Sequence, residues 1–250
     1  MYGLNDAPRK WFMKVVSVLS QLGFMQSVIH PALFCFKRGA DLSGLLIVHV
    51  DDFLHAGDAD FVLRVLPQLR KMFDVSTTGH SAFRYTGLNI KSFSDYVEID
   101  QAHYIDALNC VPLPNSRKTN KCDLLTSSEK TEYRAAVGSL NWVSQQSLPD
   151  IMFEVLELSM RLKQPTVEDL IRANKCIKKV KLSDVHLIFR KLDLQNMALV
   201  SWSDAGFANL ADRVSSGAGY VIFLVDKTGS CCPLVWRSNK VKRVLLLQRH

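Results

Sequence analysis

Long apolar runs are missing from this sequence. No stretch approaches the roughly 20 uninterrupted apolar residues of a membrane helix. Met1 opens onto turn residues and a proline, not onto a basic segment followed by an apolar one. Paired cysteine spacing is missing too. The six cysteines (Cys35, Cys110, Cys122, Cys176, Cys231 and Cys232) include no C-x-x-C pair of the kind that holds zinc, and adjacent Cys231 and Cys232 are badly placed to bridge each other. The expectation is a soluble, intracellular chain with free thiols in a reducing compartment and no membrane partner. Acidic residues run short in one part only. Residues 1–100 hold ten basic and ten acidic side chains, whereas residues 101–250 hold 21 and 14.

The whole basic excess, a net +7, therefore lies in the second part. Between Arg161 and Lys191 nine Lys or Arg face only Glu168, Asp169 and Asp184, a positive field that polyanions feel. Nucleic acid is the leading partner, although a solvated helix face would carry the same charges. With 48% apolar and 22% charged residues the chain is core-forming, long enough for one large domain or two modest ones.

Apolar spacing predicts a helix from Trp11 to Phe24 that Gly23 ends, then a hairpin of Ala32–Phe36 and Leu45–Val50 across a polar Lys37–Gly44 loop. A strand at Asp52–Ala56, a helix at Phe61–Phe73 and strands at Ala82–Ser92 and Tyr96–Ile99 complete a layer of α+β type. Residues 111–131 read as a linker. Helices are predicted at Lys130–Gln145, Pro149–Leu162 and Val167–Lys181, the last opened by a Thr166-x-x-Asp169 capping pattern. Strands follow at Val185–Arg190, Met197–Ser203, Gly217–Leu224 and Pro233–Trp236, with Gly229 in a turn.

The strongest chemical signal is the strand Leu45–Val50 running into Asp51 and Asp52. Alternating side chains cannot both point one way along a strand, so two adjacent carboxylates act together only at a turn. Polymerases use such a tip to hold two Mg²⁺ ions that activate a primer hydroxyl and neutralise the leaving pyrophosphate. Taken alone, the pair is weak evidence, and ordinary turn chemistry is the favoured explanation of it.

Upstream stands Tyr2-Gly3-Leu4-x-x-Ala7-Pro8-Arg9-x-Trp11-Phe12. Gly23-Phe24, Pro31-x-Leu33-Phe34 and Asp51-Asp52 follow in order, and the set resembles the reverse transcriptases of copia-type retrotransposons. The resemblance continues through Arg84–Leu88, Tyr133-Arg134-x-x-Val137-Gly138-x-Leu140, Pro149-Asp150-Ile151 and Pro165-Thr166. It reaches Ser203-Asp204-Ala205, Asp212-Arg213, Ser215-Ser216-Gly217 and Gly219-Tyr220, which are similar to the opening of that family's ribonuclease H.

The resemblance implies an α+β fold: a partial reverse transcriptase palm over residues 1–110, thumb or connection helices over 111–184, and an incomplete ribonuclease H-like α/β domain over 185–250. It implies Asp51, Asp52 and Asp204 as catalytic, metal-binding carboxylates with Mg²⁺ as cofactor. His49 stands where the family usually has Tyr, and either ring can stack beneath a primer end. Gly3, Arg9 and His49 would contact nucleic acid, joined by Lys175, Lys178 and Lys179 of the basic helix through phosphates. Template–primer and deoxynucleotides are the implied partners, with the remainder of a Pol polyprotein, in a cytoplasmic virus-like particle or the nucleus.

Two readings follow. One is an RNA-directed DNA polymerase and ribonuclease H segment, expected to be inactive alone because each site needs carboxylates that the 250 residues do not supply. The other is a non-catalytic transposon remnant that binds nucleic acid nonspecifically.

Overall fold

The computed structural model describes residues 6–75, 79–210 and 214–241. They form two compact units divided between His80 and Ser81. The strands of residues 82–100, expected with the first domain, thus pack in the second unit.

In the first unit, α1 (Ala7–Gln21) starts on Pro8 and buries Val15 and Leu19 one turn apart. Gly23, the expected stop, takes a φ of 87°, and Phe24 then opens strand β1 (Phe24–Gln26). Strands β2 (Leu33–Arg38), β3 (Asp41–His49) and β4 (Asp52–Gly57) complete an antiparallel sheet in the order β1-β2-β3-β4. The β2–β3 loop is shorter than the polar stretch suggested, because Gly39 at φ 60° turns the chain tightly. Gly44, Leu46 and Val48 alternate inward on β3, the period-2 signature of a half-covered strand. Against them pack α1, a π-helical turn at Phe61–Val65 and α2 (Leu66–Phe73), with Phe61 wholly buried.

The Phe61 ring occupies an unusual seat. Gly44 and Gly57 pair across β3 and β4, and a Cβ on either would lie 2.3 Å from a Phe61 ring carbon. The Asp58 carboxylate accepts the Phe61 amide at 2.7 Å and the Ser43 hydroxyl at 2.7 Å, fixing the ring's approach. Those two donors hold the Asp58 carboxyl below its ordinary pKa, led by the Phe61 amide.

In the second unit, β5 (Ala82–Tyr85), β6 (Leu88–Ser92) and β7 (Tyr96–Asp100) form a meander whose first turn places Thr86 and Gly87 both at positive φ, 49° and 84°. After α3 (Ala102–Asp106) and α4 (Asn115–Lys118) come α5 (Ser127–Gln146), α6 (Met152–Met160) and α7 (Val167–Lys181). These helices share one core around Tyr133, Leu140, Leu158, Leu170 and Ile177. Helix α7 has the predicted bounds and its Thr166–Asp169 capping box. Helix α5 starts three residues before its predicted origin because Thr126 and Glu129 form a second box, satisfying amide donors that would otherwise be orphaned.

Strand β8 (Leu187–Arg190) corrects the sequence reading. It was grouped with the strands that follow it, yet it pairs antiparallel with β7, Val97 facing Phe189, and closes the sheet β5-β6-β7-β8. Strands β9 (Met197–Gly206), β10 (Gly217–Asp226) and β11 (Cys231–Lys240) form a separate antiparallel sheet in the order β11-β10-β9. The Trp236 indole donates to the Ser144 carbonyl at 2.8 Å, tying β11 to α5. The architecture is mixed α+β with antiparallel sheets. No helix among the described residues is long and apolar enough to cross a membrane.

Candidate active site

Strands β3 and β4 meet at a two-residue tip, with His49 opposite Asp52 and Val50 and Asp51 between them. Both carboxylates and His49 are exposed. The turn is strained: Val50 has a φ of 52°, a region that its β-branched side chain disfavours. The Trp11 indole donates to the Val50 carbonyl at 2.7 Å across 39 residues. Trp11 also meets Phe73 edge-on with centroids 5.6 Å apart, and Phe73 packs at 5.1 Å on Phe53, next to Asp52. Helices α1 and α2 therefore hold the tip from behind while its oxygens face solvent.

Strain kept at a tip pinned by a distant side chain is a mark of imposed geometry. Replacing Val50 with Gly is expected to stabilise the first unit by about 1 kcal/mol, the scale of a left-handed penalty. Urea unfolding checks this, and a destabilised variant would show that the Val50 side chain contributes more than its backbone costs.

His55 lies three residues beyond Asp52 on β4, half-buried near Phe61 at 6.4 Å between ring centroids. Burial, reinforced by the positive fields of Arg70 and His80, holds its pKa below the ordinary 6.5. The unfolded chain then binds the proton more readily, so this contribution to stability is complete above about pH 6.5 and is lost as pH falls below it. His55→Gln is expected to flatten the loss of first-unit stability between pH 7 and 5. An unchanged pH profile would remove His55 from the account.

Of the other residues singled out by sequence, Arg9 lies exposed in the first turn of α1, and Gly3 falls outside the described residues. Asp204 belongs to the second unit, exposed on β9 opposite Gly219, with its carboxylate accepting the Ala205 amide at 2.9 Å. Asp212 and Arg213 fall outside the described residues. The nearby Ser216 hydroxyl accepts the Ala208 amide at 3.1 Å, and Asn209 accepts that of Gly217 at 2.7 Å.

The lysines of α7 divide. Lys175 and Lys178 are exposed and line one cavity, but Lys179 lies 3.6 Å from Glu154, and Lys181 donates to the Asp106 carbonyl at 3.0 Å.

Sequence reasoning missed a cluster of Glu98, Asp100 and His186, the group of potential metal ligands that the described residues bring within 4.8 Å. Alternation along β7 put the two carboxylates on one face, but His186 reaches them only because β8 joins β7. Lys91 already occupies the cluster, 2.9 Å from Glu98 and 3.6 Å from Asp100. That bond to Lys91 chiefly holds the Glu98 pKa down. For Asp100 burial works the other way and is outweighed by the Ala102 amide and Asn89. A divalent cation would have to displace a bonded ammonium, so the arrangement is an ion-pair network.

Residues 1–117, which include the β3–β4 tip, match the family "Reverse transcriptase (RNA-dependent DNA polymerase)". Over 98% of its length the chain is 31% identical to the Retrovirus-related Pol polyprotein from transposon RE1 of Arabidopsis thaliana. It is 26% identical, again over 98%, to the putative transposon Ty5-1 protein of Saccharomyces cerevisiae, of which it covers 81%. With the Retrovirus-related Pol polyprotein from transposon TNT 1-94 of Nicotiana tabacum it shares 27% identity. The chain spans 17% of the length of the RE1 protein and 19% of the tobacco one. Residues 1–117 thus match a reverse transcriptase family, and the chain as a whole is similar to transposon Pol polyproteins.

Proposed function

We propose that the chain contributes the paired carboxylates of a palm-type nucleotidyl-transfer site. The observation that carries this is the strained β3–β4 tip, where Asp51 and Asp52 stand exposed while Trp11 fixes the backbone beneath them. The donors are carboxylate oxygens at a solvent-facing turn, which suits a hard divalent cation such as Mg²⁺. When bound, that cation would supply charge neutralisation at the reacting phosphate and activation of a primer hydroxyl. Asp51 and Asp52 would hold it, and Trp11 would keep their spacing constant through the reaction. His49 and Arg9 are placed by this reading toward the primer and template, an RNA or DNA duplex, with deoxynucleotides as substrates and the rest of a Pol polyprotein as context. Asp204 on β9 is read as the first carboxylate of a ribonuclease H-like domain, with the helices of 111–184 as a thumb or connection.

Mn²⁺ titration followed by amide NMR tests the assignment. Selective paramagnetic broadening of residues 49–54 is expected, and its loss in Asp51→Asn. Broadening confined to the neighbourhood of Glu98, Asp100 and His186 would place the cation elsewhere and overturn the proposal.

A further inference from the structure

The cavity beside α7 has an aliphatic floor and a cationic rim. Its volume is about 330 Å³, at the lower end of small-ligand pockets. Val111, Leu113 and Ile171 supply the floor, and Lys118, Lys175 and Lys178 the charge, with no acidic residue in the lining. Lys175 and Lys178 lie three residues apart on one helix face, while Lys118 comes from α4, so two elements bring charge to one opening. Neither Lys175 nor Lys178 has an acidic partner among the described residues, in contrast to Lys179. The wall is fixed: Asn174 accepts the Val111 amide at 2.8 Å and donates to the Val111 carbonyl at 2.9 Å, holding the 110–113 segment against α7.

We infer that this cavity seats one unpaired nucleotide of a nucleic-acid strand, its base on the aliphatic floor and its neighbouring phosphates on the three lysines. The inference rests on the nucleic-acid reading given above and goes further by naming the place and the form of the strand. A duplex keeps its bases stacked and presents phosphates outward, so it would engage the lysine rim and leave the apolar floor wet. An unpaired base can leave its stack and bury a ring face. Three cations around an opening without a carboxylate match a flexible backbone that carries one charge per nucleotide.

The test uses the full chain and fluorescence anisotropy with a mixed-sequence RNA single strand of roughly 12 nucleotides, within the span of one binding module. The single strand is expected to bind more tightly than a duplex of the same sequence. Lys118→Gln, Lys175→Gln and Lys178→Gln together are expected to lower its logarithmic salt slope by roughly 2, at about 0.7 per phosphate, while Lys227→Gln, whose ammonium pairs with Asp193 away from the cavity, leaves it unchanged. Exposed lysine changes of this kind leave the fold standing. Cys110, exposed at the cavity, reports occupancy directly. Alkylation by N-ethylmaleimide is expected to slow about tenfold with single strand at ten times Kd, by simple occupancy, with exposed Cys231 unaffected. If duplex and single strand bind equally and lose the same slope, the lysines form only a phosphate rim and the unpaired nucleotide is wrong. If the triple variant binds as the parent does and Cys110 stays reactive, the cavity is not the site, while nucleic-acid binding elsewhere survives. Absence of binding to any strand removes both readings.

Discussion

In a primer-extending polypeptide that carries this chain, Asp51→Asn is expected to lower kcat by at least about 100-fold, at or beyond the upper end of losses seen on removing groups that only support a ligand. The amide is nearly isosteric and keeps the turn residue's size, so the tip and its Trp11 hydrogen bond should persist. What changes is charge. A carboxylate offers two anionic oxygens to a hard cation, whereas an amide offers one neutral oxygen, and affinity for such cations follows ligand charge. The loss should therefore fall on the chemical step, with KM for the deoxynucleotide moving far less, the pattern of an interaction strongest in the transition state. Single-turnover extension on an RNA template with Mg²⁺ reads both quantities. Parent-like kcat in the variant would show that Asp51 is not a ligand, whatever its place in the hairpin.

The carboxylate tip was legible in the sequence because two local rules converge there: an alternating apolar strand sets direction, and adjacent acids need a turn to act together. Helix α7 was legible to the residue because its capping box and its 3.6-residue apolar period agree. Other features depend on partners far along the chain. No local signal could show that Trp11 reaches Val50, or that Gly44 and Gly57 face each other, since register is set by the whole sheet. The misplacement of β8 has the same origin. Leu187–Arg190 is a sound strand whose partner lies some ninety residues earlier, and with it came His186 and the unforeseen ion-pair network. The division of the α7 lysines was hidden for a related reason, since helical spacing puts Lys175, Lys178 and Lys179 together but says nothing of Glu154 on α6.

The largest stability effect is expected at Phe61. Its ring is fully buried, meets Phe24 and Phe36 at centroid distances of 5.9 and 5.8 Å, and fills the space left by two paired glycines. Phe61→Ala should cost about 3–5 kcal/mol, because the surrounding sheet and helices can only partly close the void. That is a large share of the roughly 5–15 kcal/mol that holds a typical domain together. Gly44→Ala attacks the same contact from the opposite side. A methyl 2.3 Å from the ring must push it off its seat, an overpacking cost of about 1–3 kcal/mol. If both effects arise in one contact, they cannot add. Phe61→Leu vacates the ring positions that the new methyl meets, so Phe61→Leu with Gly44→Ala should cost less than the two single changes summed, by more than the roughly 0.5 kcal/mol scatter of independent sites. Urea unfolding of the four proteins closes the cycle, and strict additivity would mean that the ring and the glycine pair do not define each other. The result bears on function through β3 and β4, because the strands that bracket Phe61 are the ones that end in His49 and Asp52. A sheet that slides over a smaller side chain carries its carboxylates with it, and misplacement by about 1 Å is enough to cost roughly 100-fold in rate. Phe61→Leu alone should therefore slow primer extension in a folded protein whose carboxylates are all intact.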